Sequence, residues 1–283
     1  MTQISKSVRS FIWRSNNSSV TASEILNTIV LPSSRLKVLI VETRQNQNNQ
    51  IDYNELARRL RSLEILGLND ENATDLSSLI SANQSTLREI SFHRMYRLVN
   101  FERALIGCQK LEKLDLNQCY QMNDLCRILE HLNLTTLYLA NTQPNQTTLG
   151  SILTLTNLQK LDVSCNYRVN NAFVRMLSNC LKKLKWLSLA QCHIDDEAIV
   201  SLTRLDQLRE LNLGHTLITK NGVKLLHSSK LTLLNLSNCT KIEQAVNTVN
   251  RLLTFTPTIK SIGLSGFEQL VVDAALSYHV HVF

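Results

Sequence analysis

A nine-residue pattern, L-x-x-L-x-L-x-x-N/C, returns along almost the whole chain. The clearest copies are LEKLDLNQC from 111, LQKLDVSCN from 158, LKWLSLAQC from 184, LRELNLGHT from 208 and LTLLNLSNC from 231. Weaker copies begin at 8, 36, 63, 87, 134 and 259, so eleven first positions follow one another at steps of 23 to 28 residues with none skipped. A leucine-rich helical protein could supply one or two such nonamers by accident, but a fixed period of this length is a structural repeat.

The alternation inside the nonamer gives each copy its local structure. Leu114 and Leu116 alternate with Asp115 and Asn117, the period of two expected of a short strand with one buried face. After the nonamer the spacing turns helical. In HIDDEAIVSLTRL, Asp195 or Asp196 is placed to cap a helix that turns Ile199, Val200 and Leu202 inward,. Thr219 and Asn170 open later segments in the same way, and Thr21-Ala-Ser-Glu24 has the spacing of a capping box,. One unit is therefore strand, turn and helix, and it can bury its leucines only against its neighbours. Parallel strands spaced by about 4.8 Å opposite helices roughly 10 Å across bend such a stack, with the strands on the inner wall. The expected fold is an α/β solenoid of about eleven repeats, a right-handed horseshoe with parallel strands on the concave face and helices on the convex face. It forms a single domain over residues 1–283, with a closing strand near 279–283.

The nonamers ending in Cys, with segments such as HIDDEAIVSL and LITKNGVKLL, resemble the cysteine-containing subtype of leucine-rich repeat. The stretch LSNCLKKLKWLSLAQC (177–192), where a helix ends in Cys180 just before the next strand, carries the likeness best. The resemblance covers residues 111–266 well and the first hundred poorly. It implies the repeat region of F-box substrate receptors of ubiquitin ligases. Only seven residues precede the first repeat, too few for an F-box, so what the likeness implies for this chain is the binding solenoid alone.

The ninth position reads Cys119, Thr142, Asn166, Cys192, Thr216 and Cys239 in the regular repeats. These side chains can hydrogen-bond the backbone of adjacent turns, so the three cysteines are expected as buried turn residues rather than reactive thiols. Arg44, Glu71 and Met95 replace them in the second to fourth repeats, where looser turns are expected.

Residues between the leucines face the groove by the same alternation. There Tyr138 and Trp186 are large aromatics on a small, polar wall, flanked by Lys113, Asp115, Lys160, Asp162 and Glu210. Aromatic anchors inside a charged surround are the composition of interface hot spots. The alternative is that Trp186 covers a neighbouring strand and the charges are cross-strand partners. Ile12, Val38, Ile40 and Ile65 form an apolar patch at the other end of the wall, which strand propensity or a covering partner explains equally.

No glycine-rich phosphate loop, HExxH or GxSxG occurs, and the chain has seven glycines in all,. His279 and His281 share a strand face but lack a third ligand nearby, so no metal is expected,. No cofactor is expected either. The seven cysteines show no CxxC spacing, and their odd number suits a reducing compartment,. With no signal peptide and no run of about 18 apolar residues, the chain reads as cytoplasmic or nuclear. On the same ground the N-x-S/T triplets at Asn17, Asn83 and Asn145 are read as chance. The net charge of +7 arises from cations scattered along the sequence, the densest groups being Arg58-Arg59-Arg61 and Lys182-Lys183-Lys185. Scattered charge argues against a nucleic-acid partner. The expected function is a non-catalytic module, monomeric on its own, that holds a protein partner. Recognition of a ubiquitin-ligase substrate is one form of it; the alternative is a regulatory scaffold or inhibitor of an enzyme or GTPase.

Overall fold

Leucines at the first, fourth and sixth nonamer positions leave the chain one way to dry them, which is to pair each strand with the equivalent strand of the next repeat. A computed structural model shows that pairing and describes residues 9–14, 35–42, 51–120, 125–226 and 230–283. The chain divides into two compact units, residues 1–136 and 137–283.

In the first unit the strands are β1 (Ser10–Arg14), β2 (Val38–Glu42), β3 (Ile65–Asn69), β4 (Glu89–Phe92) and β5 (Lys113–Asp115). Each pairs in parallel with the next, and third position meets third position throughout: Ser10 with Val38, Val38 with Ile65, Ile65 with Glu89, Glu89 with Lys113. This register puts Leu39, Leu66, Ile90 and Leu114 in one fully buried row. The helices are α1 (Tyr53–Arg59), α2 (Ser77–Asn83), α3 (Phe101–Leu105) and α4 (Leu125–Leu129). In α1, Asp52 accepts from the amides of Asn54 and Glu55 and so caps the helix,. The capping box at Thr21 to Glu24 and the ninth-position residues Asn16 and Arg44 lie outside the described residues.

The third repeat solves its turn differently from the cysteine-bearing ones. Asp70, buried, accepts from the Asn72 amide at 3.0 Å and from the Tyr53 hydroxyl at 2.6 Å. Burial first, and then the Asp70 charge, push the Tyr53 hydroxyl well above its ordinary pKa of 10. Asn83 is fully buried at the end of α2. It donates to the carbonyls of Leu60 and Leu79 and accepts from the Leu63 amide, each at 2.9 Å. It thus ties two repeats together.

The second unit carries the end of β6 (Thr136–Tyr138), then β7 (Lys160–Asp162), β8 (Trp186–Ser188), β9 (Glu210–Asn212), β10 (Leu233–Asn235), β11 (Ser261–Gly263) and β12 (His281–Val282). From β7 to β11 the third positions again align, and Ser261 pairs with His281 in the expected closing strand. The helices are α5 (Gln146–Ile152), α6 (Asn171–Cys180), α7 (Asp196–Leu202), α8 (Lys220–Lys224), α9 (Ala245–Phe255) and α10 (Gln269–Leu276). Asn145, Asn170, Asp195 and Thr219 cap α5 to α8 with their side chains. Of the two aspartates that could cap α7, Asp195 does so. Asp196 instead accepts from the amide and hydroxyl of Thr219 at 2.8 and 2.6 Å, joining α7 to the cap of α8.

One expectation fails inside α7. Ile199 and Leu202 are buried, but Val200 is 50% exposed and Ala198 takes the inward place. A turn of 100° per residue carries Val200 past the buried stripe, and the narrow gap between adjacent helices admits the small Ala198.

From the fourth repeat to the eleventh, the chain leaves its strand through one left-handed residue at the eighth nonamer position. In the second unit these are Asn141, Cys165, Gln191, His215, Asn238 and Gly266, with φ between 54° and 84°. From Asn141 to Asn238 each bend lets its own amide reach the seventh-position carbonyl of the following repeat, as Cys165 does to Ala190 at 2.8 Å and Gln191 to Gly214 at 2.9 Å. The ladder therefore continues past the strands, and its hydrogen bonds offset the cost of roughly 1–2 kcal/mol for a left-handed side-chain residue.

Candidate protein-binding face

The ninth position closes each turn. Asn166 is buried with four hydrogen bonds: it donates to the carbonyls of Leu139 and Val163 at 2.8 and 3.0 Å and accepts from the amides of Thr142 and Gln143 at 3.1 and 2.8 Å. Cys192 and Cys239 reach back with their thiols to the carbonyls of Val163 (3.3 Å) and Leu213 (3.1 Å). In the first unit Cys119 does the same to Phe92 at 3.2 Å. The shorter Thr142 and Thr216 hydroxyls donate within their own repeat, to Leu139 and Leu213, and Thr216 also meets the Cys239 thiol of the next repeat at 3.6 Å. Burial pushes the thiols of Cys119 and Cys192 up to about 12 and that of Cys108 to about 11, and raises Cys239 as well. Thiolates are scarce at such sites. In native protein an alkylating reagent is expected to modify the exposed Cys180 about a hundredfold faster than these four, as peptide mass mapping over a time course can measure.

With the turns fixed, the third and fifth positions form the strand face. In the second unit Lys160, Trp186 and Glu210 stand side by side in register. The Trp186 ring leans across β7 to meet the Tyr138 ring edge-on, with centroids 5.6 Å apart and planes at 65°. Both rings are half-buried, and Lys160 is exposed. Apart from the half-buried Leu233, the row is otherwise small or polar, with Ser188, Asn212, Asn235 and Ser261. Four of the seven residues expected to bind therefore gather in this unit around the ring pair: Tyr138, Lys160, Trp186 and Glu210.

The aspartates do something else. Asp162 accepts from the Ser164 amide at 2.9 Å and hydroxyl at 2.6 Å, and Asn212 and Asn235 hold the amides two residues on in the same way. In the first unit Asp115 holds the Asn117 amide at 3.2 Å, is itself buried, and has His93 Nε2 at 3.0 Å from its other oxygen. That carboxylate raises the His93 pKa against the opposing effect of burial. Both aspartates thus shape the turn after the strand; the Asp-x-Ser and Asp-x-Asn spacing was the signal for it. Lys113 meets Glu89 across the strands at 3.4 Å, an ordinary cross-strand pair,. In the N-terminal patch Ile12 is 55% exposed, while Val38, Ile40 and Ile65 are half-buried. Ile40 there lies against Gly67.

Stacked strand-turn-helix units with paired third positions and a backbone-bonding ninth residue define a leucine-rich-repeat protein. Residues 102–201 match the family described as "Zer-1-like, Leucine-rich repeats". Two solved structures share the fold. An internalin (inlF) from Listeria monocytogenes is 21% identical with a TM-score of 0.62, covering 92% of this chain and 69% of its own. The yeast Rad7 and Elc1 complex matches at 17% identity and a TM-score of 0.58, covering 90% of this chain and 76% of the matched one. A search of curated protein sequences finds no match. Among the described residues no helix is long and apolar enough to cross a membrane, and no three His, Cys, Asp or Glu side chains gather as metal ligands.

Proposed function

We propose that this chain is a non-catalytic interaction module that holds a protein partner on its strand face, as the recognition subunit of a ubiquitin-ligase-linked assembly. The observation that carries the reading is the Tyr138–Trp186 ring pair, half-buried on a small, polar wall beside the exposed ammonium of Lys160. Aromatic rings that are already packed lose little side-chain freedom on binding, and this is how hot spots concentrate affinity. The ubiquitin link rests on the resemblance of the cysteine-bearing repeats to F-box receptors. The Rad7 structure, solved as a complex with a second protein, supports the coarser idea that this fold holds proteins. A single repeat domain over residues 1–283 belongs to the same proposal, because the 24-residue step from Leu134 to Leu158 matches the neighbouring steps.

The test is affinity capture from cells with wild type against a Tyr138→Ala, Trp186→Ala double variant, followed by titration of the captured partner. Loss of the two rings is expected to weaken the partner by about thirtyfold to a thousandfold, since each hot-spot truncation costs on the order of 1–2 kcal/mol. Identical partners at identical affinity would end the strand-face assignment. Capture of an inhibited enzyme with no cullin adaptor would remove the ubiquitin link while leaving the face intact.

A further inference from the structure

Cations that look scattered in the sequence come together in the second unit, because a period near 24 residues returns them to one edge. The loop from α6 to β8 carries Lys182, Lys183 and Lys185, all exposed. The next loop, from α7 to β9, adds Arg204 and Arg209, and the two after that contribute Lys230 before β10 and Lys260 before β11. Asp206 is the one carboxylate in these four loops, with Glu210 at the start of β9.

Among the described residues none of these cations is paired with a carboxylate. Lys182 donates to the Arg204 carbonyl at 3.5 Å, Lys183 to Asn157 at 2.5 Å and Arg204 to Asn179 at 3.2 Å, while Arg209 holds the Asp206 and Leu208 carbonyls. Cations near helix C-termini are favoured by the helix dipole, but that does not explain the excess. The equivalent edge of the first unit meets the same dipoles with part of its charge paired: Lys37 with Glu64 and Arg88 with Glu112, while Arg58 and Arg59 pair with Glu55 inside α1. The hydrogen bond from Lys37, aided by the charges of Arg88 and Arg9, holds the Glu64 carboxyl below its usual range.

A second feature lies on the same edge. Between the eighth and ninth repeats, with Leu231 of the tenth, a cavity of about 70 Å³ is lined by Leu202, Leu205, Leu208, Leu211, Leu226 and Leu231, with Asp206 and Lys230 at it. It exceeds the roughly 30 Å³ of a water molecule, and its wall is apolar.

We propose that this edge of the second unit binds an acidic segment of a protein partner, with one aliphatic side chain of that segment entering the leucine-lined cavity. The inference deepens the strand-face reading by giving the partner a chemistry. Strands about 4.8 Å apart put Lys185, Arg209 and Lys260 along roughly 14 Å, the reach of four or five extended residues. A phosphate backbone fits this edge less well. Its uniform charge would meet Asp206 and Glu210, and it carries nothing to place in the cavity, whereas a peptide can space its carboxylates and supply a leucine or valine.

The experiment uses the full chain and a fluorescein-labelled peptide of alternating Glu and Ser with one central Leu, followed by fluorescence anisotropy. Wild type is expected to bind with an affinity that falls steeply with salt, and Lys182→Glu, Lys183→Glu, Lys185→Glu together to weaken it by about tenfold or more. The corresponding Lys→Gln triple variant guards against misfolding from charge reversal and should lose affinity in the same direction. Lys241→Glu, on the opposite edge, is the control expected to change nothing. A peptide with Ala for the central Leu should bind more weakly. The proposal is overturned if wild type does not bind the peptide at low salt, if both triple variants bind as wild type does, if the Ala peptide binds equally well, or if oligo(dT) or phosphatidylserine vesicles bind more tightly than the peptide. Any of these leaves the Tyr138 and Trp186 capture result untouched, so the two readings fail separately.

Discussion

Alanine at Asn166 is expected to destabilise the second unit by about 3–4 kcal/mol, measured as a shift in the urea midpoint followed by Trp186 fluorescence. Asn166 has no accessible surface and makes four hydrogen bonds, to two carbonyls and two amides. Alanine removes all four partners in a place water does not reach, and each orphaned buried group costs on the order of 1–3 kcal/mol. Partial collapse of the turn keeps the total below the sum of four. The repeats themselves supply the calibration, since Cys119 and Cys192 close the same turn with a single reach to the preceding repeat. Asn166→Cys should therefore lose only about half as much, because the thiol keeps one bond and hides its own polarity. If alanine and cysteine cost the same, the amide network is not what holds the turn.

The same comparison shows what a sequence of this kind displays and what it conceals. The leucines announce themselves, because burial on a fixed period selects the residue type regardless of surroundings, and every strand from β1 to β11 sits at the third position of a nonamer. Features that depend on which repeats touch are hidden. Asn83 is visible only as part of an N-x-S triplet, and its role appears when its amide is found between Leu60, Leu63 and Leu79. The left-handed bend at Cys165 and Gln191 falls on residue types with no special liking for it,; the inter-repeat ladder imposes it. Val200 fails because one residue of rotation separates the inside of α7 from the outside, a finer distinction than a run of aliphatics can mark. On the candidate face the rings were legible as large residues among small ones. The turn-holding by Asp162 and Asp115 was less visible, since a carboxylate that holds its own turn and one that awaits a partner share a position and a chemistry.

Phenylalanine at Tyr53 is expected to cost the first unit about 2–3 kcal/mol, a large effect for the loss of one oxygen. The ring stays, so its apolar packing stays. What goes is the 2.6 Å hydrogen bond to Asp70, a carboxylate with 2% of its surface accessible that keeps its hydrogen bond from the Asn72 amide. Hydrogen bonds to charged groups contribute about 1.5–3 kcal/mol, and a buried charge that loses a partner pays part of its desolvation again. Chemical unfolding followed by Trp13 fluorescence measures the loss. Asp70→Asn in the phenylalanine background should recover part of it, because a neutral amide tolerates burial better than an unsupported carboxylate; no recovery would mean that the charge of Asp70 is not the source of the cost. The pH dependence carries a second signature. The folded pKa of Tyr53 is raised above its ordinary value of 10, so the hydroxyl keeps its proton in the folded chain at a pH where the unfolded chain has given it up. Its contribution is fully present below pH 10 and drains away as pH rises through that value towards the folded pKa. Wild type should accordingly lose stability with pH in that alkaline window faster than Tyr53→Phe. Equal slopes would place the Tyr53 hydroxyl in contact with water rather than with Asp70.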